Sequence, residues 1–110
     1  NKEFNCPVEA TISLIGGKYK SVILFHLMGK TLRYSELHKK IPKATDKMLA
    51  QQLRELEKDG LIKRTVYPVV PPKTEYNLTE FGESLSPILN AMCNWGESYL
   101  NIPSQCVEES

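Results

Sequence analysis

The stretch TDKMLAQQLRELEKDG, from Thr45 to Gly60, decides which fold this chain adopts. At about 100° per residue, Leu49, Leu53 and Leu56 fall on one stripe of a helix. Threonine is a preferred N-cap residue, and glycine commonly follows the end of a helix. The opposite face carries long polar side chains around one small residue: Lys47, Ala50, Gln51, Arg54 and Lys58. The stretch therefore predicts a helix that buries leucines and displays amide and cationic groups outward.

A second, shorter helix is predicted immediately upstream. In YSELHKKI, from Tyr34 to Ile41, Leu37 and Ile41 keep the i, i+4 spacing of a helix, and Pro42 ends it. Only residues 43–45 separate this helix from the leucine-striped one. Two helices joined by a tight turn, with the longer helix second, are typical of a helix-turn-helix motif.

Two more helices and a short extended piece are predicted before this motif. Pro7 suits the first position of a helix, PVEATISLI, which ends at Gly16-Gly17. Residues 18–28 contain VILFHLM, which is apolar nearly all round and indicates a central, buried helix. Residues 31–33 predict a brief extended segment.

Downstream of the motif, the pattern changes to that of strands. LIKRTVYPVV (residues 61–70) is rich in β-branched residues, and KTEYNLT (residues 73–79) alternates Thr74, Tyr76 and Leu78. Pro71-Pro72 forms a stiff tip between them. The fold class predicted is mainly α with a small β-hairpin: a winged helix-turn-helix domain whose hairpin is the wing.

One last helix is predicted from its cap at Thr79. Apolar residues recur at intervals of four and three between Phe81 and Tyr99, which is a heptad seam, and Pro87 should bend the helix or remove a hydrogen bond near its second turn. The seam could pack on its own domain. We predict instead that part of it pairs with a second copy, because two-fold dimers are the commonest oligomers. The candidate dimer residues on this helix are Ile88, Leu89, Met92, Trp95 and Tyr99.

Length and composition are those of one ordinary globular domain. The chain has 110 residues, of which 41% are hydrophobic and 25% charged. We expect a single domain over residues 1–110, with residues 101–110 as a flexible tail. No apolar run approaches the ~18 residues of a membrane span and no signal-like segment opens the chain, so we expect no membrane association and a cytoplasmic location.

Charge is segregated along the chain. Residues 18–73 hold thirteen Lys and Arg residues against five Asp and Glu residues, whereas the rest holds one lysine and eight glutamates. A basic middle between acidic ends is expected when one face meets a polyanion.

The cysteines and histidines indicate no metal or cofactor. Cys6, Cys93 and Cys106 are odd in number, lie far apart and form no CxxC pair, so we expect reduced thiols. His26 and His38 lack ligand spacing. No phosphate-cradling glycine loop or recognisable pair of catalytic carboxylates is present, so we predict that the protein is not an enzyme.

The exposed face of the leucine-striped helix suits duplex DNA. A major groove admits one α-helix, and Lys, Gln and Arg reach its base edges. Asp46 could cap the helix or accept from cytosine, and the former is favoured. The predicted base-reading set is Thr45, Asp46, Lys47, Ala50, Gln51 and Arg54. The predicted phosphate and wing contacts, each of which could instead be a solvated surface residue, are Arg33, Tyr34, Ser35, Lys39, Lys43 and Lys73.

A winged helix that binds only another protein is the alternative. Its basic face would then meet an acidic partner. A DNA reader should lose affinity steeply with salt and prefer one inverted repeat, whereas an adaptor should bind duplex weakly and without sequence preference.

Several segments carry a family resemblance: CPVEATISLIGGKYK, LRYSELHKKIP, KMLAQQLRELEKDGLIKRTVYPVVPPKTEYNLTEFGESL and WGESYL. Together, over residues 6–100, they resemble the HxlR-type family of bacterial winged helix-turn-helix transcriptional regulators. Tyr19 departs from the tryptophan common in the family. The resemblance implies a homodimer joined through its first and last helices, which adds Val8 and Ile12 to the candidate interface. It also implies that this homodimer binds an inverted-repeat operator and responds to a small-molecule or redox cue.

The same resemblance draws attention to Cys6, because some family members sense electrophiles or oxidants with a cysteine just before the proline of the first helix. A thiol at a helix N-terminus lies beside unpaired N–H groups and the positive end of the dipole, which favour the thiolate. Cys6 is therefore a candidate sensor, and an inert thiol in the dimer seam is the alternative. Cys93 is expected to serve packing, with Cys106 a thiol of the tail.

Overall fold

A computed structural model describes residues 3–103 of the chain. Its elements follow the order predicted for a winged helix. They are α1 (Pro7–Ile15), α2 (Lys20–Leu27), β1 (Leu32–Arg33), α3 (Tyr34–Lys40), α4 (Asp46–Lys58), β2 (Ile62–Tyr67), β3 (Lys73–Leu78), α5 (Glu80–Glu83) and α6 (Ser86–Leu100).

The core forms where α4 packs on the central helix α2. The leucine stripe of α4 is buried as predicted, with Leu49 and Leu56 fully enclosed. Ile23 and Leu24 of α2 are also fully buried. Because the stripe occupies one side of α4 only, burying it sets which residues of α4 face outward.

A small antiparallel sheet joins the wing to the helix-turn-helix motif. Its strand order is β1-β3-β2, with β3 in the middle. In the hairpin Ile62 pairs with Leu78, and on the other side of β3 Leu32 pairs with Tyr76. The brief extended piece before α3 is therefore a strand, and it ties the start of the motif to the base of the wing.

The prediction of one continuous last helix is wrong, because the structure has two helices there. Thr79 caps α5, where its Oγ1 accepts from the Gly82 N–H at 3.0 Å. Helix α5 ends at Glu83 and α6 begins at Ser86, with Pro87 in the first turn of α6. Proline has no N–H to continue the preceding helix but suits a helix start.

Helix α6 has one face inside and one outside. Leu85 and Leu89 pack into the core, whereas Trp95 and Tyr99 are 70% and 74% exposed. Within residues 3–103, no helix is long and apolar enough to cross a membrane.

Candidate nucleic-acid interface

The outward face of α4 carries the predicted base-reading side chains. Lys47, Gln51 and Arg54 are exposed and follow one another at intervals of four and three residues, so they share one face of the helix. Ala50 lies between them and is half-buried. The buried leucines on the other side fix the direction in which these groups point.

The first turn of α4 is tied to α3. Thr45 Oγ1 accepts from the Met48 N–H at 3.1 Å, which is an N-cap. The Tyr34 hydroxyl donates to Asp46 Oδ1 at 2.8 Å, and His38 Nδ1 lies 3.2 Å from the same oxygen. His38 Nε2 lies 3.0 Å from the Ala44 carbonyl oxygen. The Asp46 carboxylate therefore holds the two helices of the motif together.

Tyr34 supports this junction in its neutral form. Burial, followed by the hydrogen bond to Asp46, raises the pKa of the Tyr34 hydroxyl to about 12. The hydroxyl has one proton and donates it to Asp46. Tyr34, predicted as a phosphate donor, thus positions α4 in this conformation.

Four of the predicted phosphate contacts line one groove. It has a volume of about 500 Å³ and lies between the start of α3 and the tip of the wing. Its walls are Arg33, Tyr34, Ser35, Val69, Val70, Pro71, Pro72, Lys73 and Thr74. Because Tyr34 lines this groove and also bonds to Asp46 on α4, the groove lies next to the start of α4. Lys39 and Lys43 are exposed outside this groove.

Lys73 is held at the base of the wing tip. Its Nζ lies 3.5 Å from Glu75 Oε2 and 4.8 Å from the centre of the Tyr67 ring. The Tyr67 hydroxyl bonds to Glu75 as well, which raises the pKa of Tyr67. These contacts limit the positions open to the ammonium group, and Glu75 offsets part of its charge.

One basic residue near this surface was not predicted from the sequence. A second cavity, of about 400 Å³, lies between α4 and the sheet, and Arg64 lines it together with Ala50 and Arg54. The two-residue period of β2 places Arg64 on the same side as the buried Ile62. That alternation was the available signal, but no pattern indicated that this side faces α4.

A chain of polar contacts between α2 and the outward face of α4 was also not predicted from the sequence. Lys20 Nζ lies 2.6 Å from Glu55 Oε1, and Gln51 Nε2 donates to Glu55 Oε2 at 3.2 Å. These bonds, that of Lys20 first, hold the pKa of the Glu55 carboxyl below its usual range. The i, i+4 pair of Gln51 and Glu55 is readable from sequence, whereas the bond to Lys20 depends on how α2 packs on α4.

The cysteines differ from the expectation of three reduced thiols. Cys6 is free and exposed, immediately before α1. Cys93, half-buried on α6, is disulfide-bonded, so that expectation is wrong for this residue. Separation along the chain carries no information on which thiols meet in space. Cys106 lies outside the described residues.

Exposed apolar side chains gather on α1 and α6. Val8 and Ile12 on α1 are 63% and 57% exposed. On α6 the exposed apolar residues include Ile88, Met92, Trp95 and Tyr99, and the last two stack with ring centres 5.4 Å apart. Leu89, predicted at the interface, is buried in the protein's own core. We call the six exposed residues the apolar face.

The fold and the motif define a winged helix-turn-helix protein of the kind that regulates transcription. The chain belongs to the HxlR-like helix-turn-helix family, which it matches over residues 14–104. It is 54% identical over 94 residues to the HTH-type transcriptional regulator YdeP of Bacillus subtilis, covering 86% of this chain and 73% of that protein.

Solved structures agree with this assignment. The HTH-type transcriptional regulator ytcD is 54% identical, with a TM-score of 0.81, covering 87% of this chain and 98% of the other. The redox regulator HypR in its oxidised form is 50% identical, also with a TM-score of 0.81, covering 84% and 96%. The family and these neighbours are transcriptional regulators and not enzymes.

Proposed function

We propose that the protein binds double-stranded DNA at specific sequences, with the N-terminal half of α4 in the major groove. The observation that carries the proposal is the exposure of Lys47, Gln51 and Arg54 on one face of a helix whose opposite face is locked in the core. A side chain that reads bases needs such a rigid support. The protein would work where the DNA of a bacterial or archaeal cell lies, in the cytoplasm.

The groove beside α3 supports a path for the DNA backbone. Arg33, Ser35 and Lys73 line it and offer donors to phosphate oxygens. Lys39 and Lys43 add positive charge on the helix-turn-helix motif. In this arrangement the wing lies along the duplex next to the groove that α4 enters.

The apolar face supports a homodimer. Six exposed apolar side chains on α1 and α6 are more than scattered surface residues, and such patches mark interaction sites. A two-fold dimer would present two α4 helices to an inverted repeat whose half-sites lie about 34–36 Å, or a multiple, apart.

Cys6 is the proposed sensor of oxidants or electrophiles. Its thiol is free and exposed at the start of α1, which also carries part of the apolar face. The relative HypR is a redox regulator known in oxidised and reduced forms. Modification of Cys6 would thus act at the proposed dimer interface, from which the spacing of the two α4 helices is set.

Selection of binding sites from random duplexes tests the DNA proposal. We expect an inverted repeat, and we expect Gln51→Ala to lose about 1–3 kcal/mol of discrimination at one base pair per half-site. Lys73→Ala should weaken all sequences alike and reduce the salt slope by about one unit per lost phosphate contact. Weak, salt-insensitive binding with no selected sequence would favour the protein-interaction alternative.

The Cys6 proposal has its own test. The protein is treated with a peroxide or a quinone, and release from the selected duplex is measured for the parent and for Cys6→Ser. We expect release for the parent only. Equal release of both would dismiss Cys6 as the sensor without touching DNA recognition.

A further inference from the structure

One carboxylate on α4 joins a buried lysine of α2 to a glutamine on the outward face of α4. Lys20 Nζ and Gln51 Nε2 contact the two different oxygens of Glu55, at 2.6 and 3.2 Å. The Lys20 side chain is only 10% exposed, whereas Gln51 lies on the surface. The contacts therefore run from the core to the group that faces outward.

The charge of Glu55 dictates which end of the Gln51 amide faces it. Lys20 holds the pKa of the Glu55 carboxyl below its usual range, so this group is ionised at neutral pH. An ionised carboxylate accepts hydrogen bonds and donates none. Gln51 must turn its amide nitrogen toward Glu55, because the reverse orientation would set two oxygens against each other.

The lysine that anchors Glu55 is itself held in place. A Cβ built on Gly17 would lie 2.9 Å from Lys20 Cδ, so the lysine stem packs closely on the turn between α1 and α2. The same turn is bonded to α4, because the Tyr19 N–H donates to Gln52 Oε1 at 3.1 Å. Glu55 thus meets a fixed ammonium group and not a freely moving one.

We propose that Glu55, anchored by Lys20, is a positioning residue that presents the Gln51 amide to an adenine of the operator, an inference that rests on the proposed function. One N–H of Gln51 is engaged by Glu55, and the other N–H and Oε1 remain for the base. This pair matches the N7 acceptor and the N6 donor of adenine. Guanine presents two acceptors, so its O6 would face Oε1 and be rejected.

The test compares adenine with guanine at the base pair that Gln51 reads in the selected duplex. Affinities are measured for the parent, Gln51→Ala, Glu55→Gln and the double variant. We expect the parent to prefer adenine by roughly 5- to 150-fold. Glu55→Gln should lose most of this preference, because an amide at residue 55 can donate to Gln51 Oε1 and let the Gln51 amide turn round. The double variant should match Gln51→Ala.

Two further variants separate positioning from charge and from folding. Glu57→Gln removes the same charge from the same helix without touching Gln51, so it should keep the preference for adenine. Lys20→Met leaves the carboxylate but frees it, so it should reduce the preference less than Glu55→Gln does. Thermal unfolding of each variant identifies any that is unfolded at the assay temperature.

Distinct results would overturn the inference. An unchanged adenine preference in Glu55→Gln or Lys20→Met, or an equal further loss when Glu55→Gln is added to Gln51→Ala, removes the positioning role. If the parent selects an operator that Gln51→Ala binds equally well, this inference fails alone. If the parent selects no sequence, the proposed function fails with it.

Discussion

At the residue scale, the hydroxyl of Tyr34 shows how a single group organises the interface. It joins the start of α3 to the Asp46 carboxylate in the first turn of α4, while the residue also lines the groove next to the wing. The three parts of the surface that we propose to face DNA therefore meet at this side chain.

Removing that hydroxyl should loosen the junction. We expect Tyr34→Phe to lower the free energy of unfolding by about 0.5–1.5 kcal/mol, because Asp46 loses a hydrogen-bond donor. Urea denaturation measures the change. Tyr99→Phe is the control, since the Tyr99 hydroxyl has no hydrogen bond within residues 3–103. Equal losses for the two variants would contradict the structural role of Tyr34.

The Glu55 carboxyl predicts a dependence of stability on pH. Its pKa is lowered from 4.5 in the folded protein, chiefly by Lys20. The ion pair therefore stabilises the fold at pH values above the ordinary pKa of a glutamate. This stabilisation is lost as the pH falls through the lowered pKa of the folded protein. The parent should be more stable than Glu55→Gln at pH 7, and the difference should shrink toward zero on acidification below 4.5.

Urea denaturation at a series of pH values from about 7 to about 3 provides this comparison. Glu57→Gln serves as the control, because the Glu57 carboxylate makes no ion pair with Lys20. Parallel curves for the parent and Glu55→Gln would show that the ion pair adds nothing to stability.

At the scale of elements, the packing of α5 against the start of the wing depends on a glycine. A Cβ on Gly82 would overlap the carbonyl oxygen of Leu61, which lies just before β2. That carbonyl oxygen also accepts a hydrogen bond from the Thr79 N–H at 3.1 Å, so the N-cap of α5 is bonded to the residue that precedes β2.

Substituting this glycine should force the two elements apart. We expect Gly82→Ala to destabilise the protein by about 1–3 kcal/mol through overpacking. Gly96→Ala on α6 is the matched control, because a Cβ there meets nothing within 4 Å. That control should gain roughly 0.5–1 kcal/mol of helix stability. Thermal unfolding distinguishes them, and a neutral Gly82→Ala would show that α5 can shift freely.

The break before α6 is also decided between elements. The intervals of four and three from Phe81 to Tyr99 describe a seam, but Phe81 lies on α5 and the remaining exposed positions lie on α6. The break lets α5 dock on Leu61 while α6 turns its inner face to α2.

At the scale of the whole molecule, the homodimer that we propose would form through the apolar face and would set how the two subunits meet DNA. A charge placed there should separate the subunits, because an unpaired carboxylate would be buried on association. We expect Met92→Glu to be monomeric by sedimentation and to lose affinity for the inverted repeat. Asn94→Glu adds the same charge to an exposed position about 200° further round α6 and should remain dimeric. Dimerisation of both variants would place the interface elsewhere.

The order of elements and the inward and outward faces of α4 could be predicted from the amino-acid sequence alone. These follow from hydrophobic periodicity, caps and breakers, which act within a single element. The exposed face with Lys47, Gln51 and Arg54 was readable for that reason. The sequence indicated that Pro87 disturbs the last helix, but not that one helix would end at Glu83 and another begin at Ser86.

Which side chains meet across elements depends on how the elements pack and was not predictable from the sequence. Lys20 reaches Glu55, Tyr34 reaches Asp46 and Arg64 shares a cavity with Arg54. Leu89 faces the core while Met92, three residues on, does not. Periodicity states that a residue points inward or outward but not what it finds there, because the neighbour comes from a distant part of the chain and is chosen by how the whole core packs.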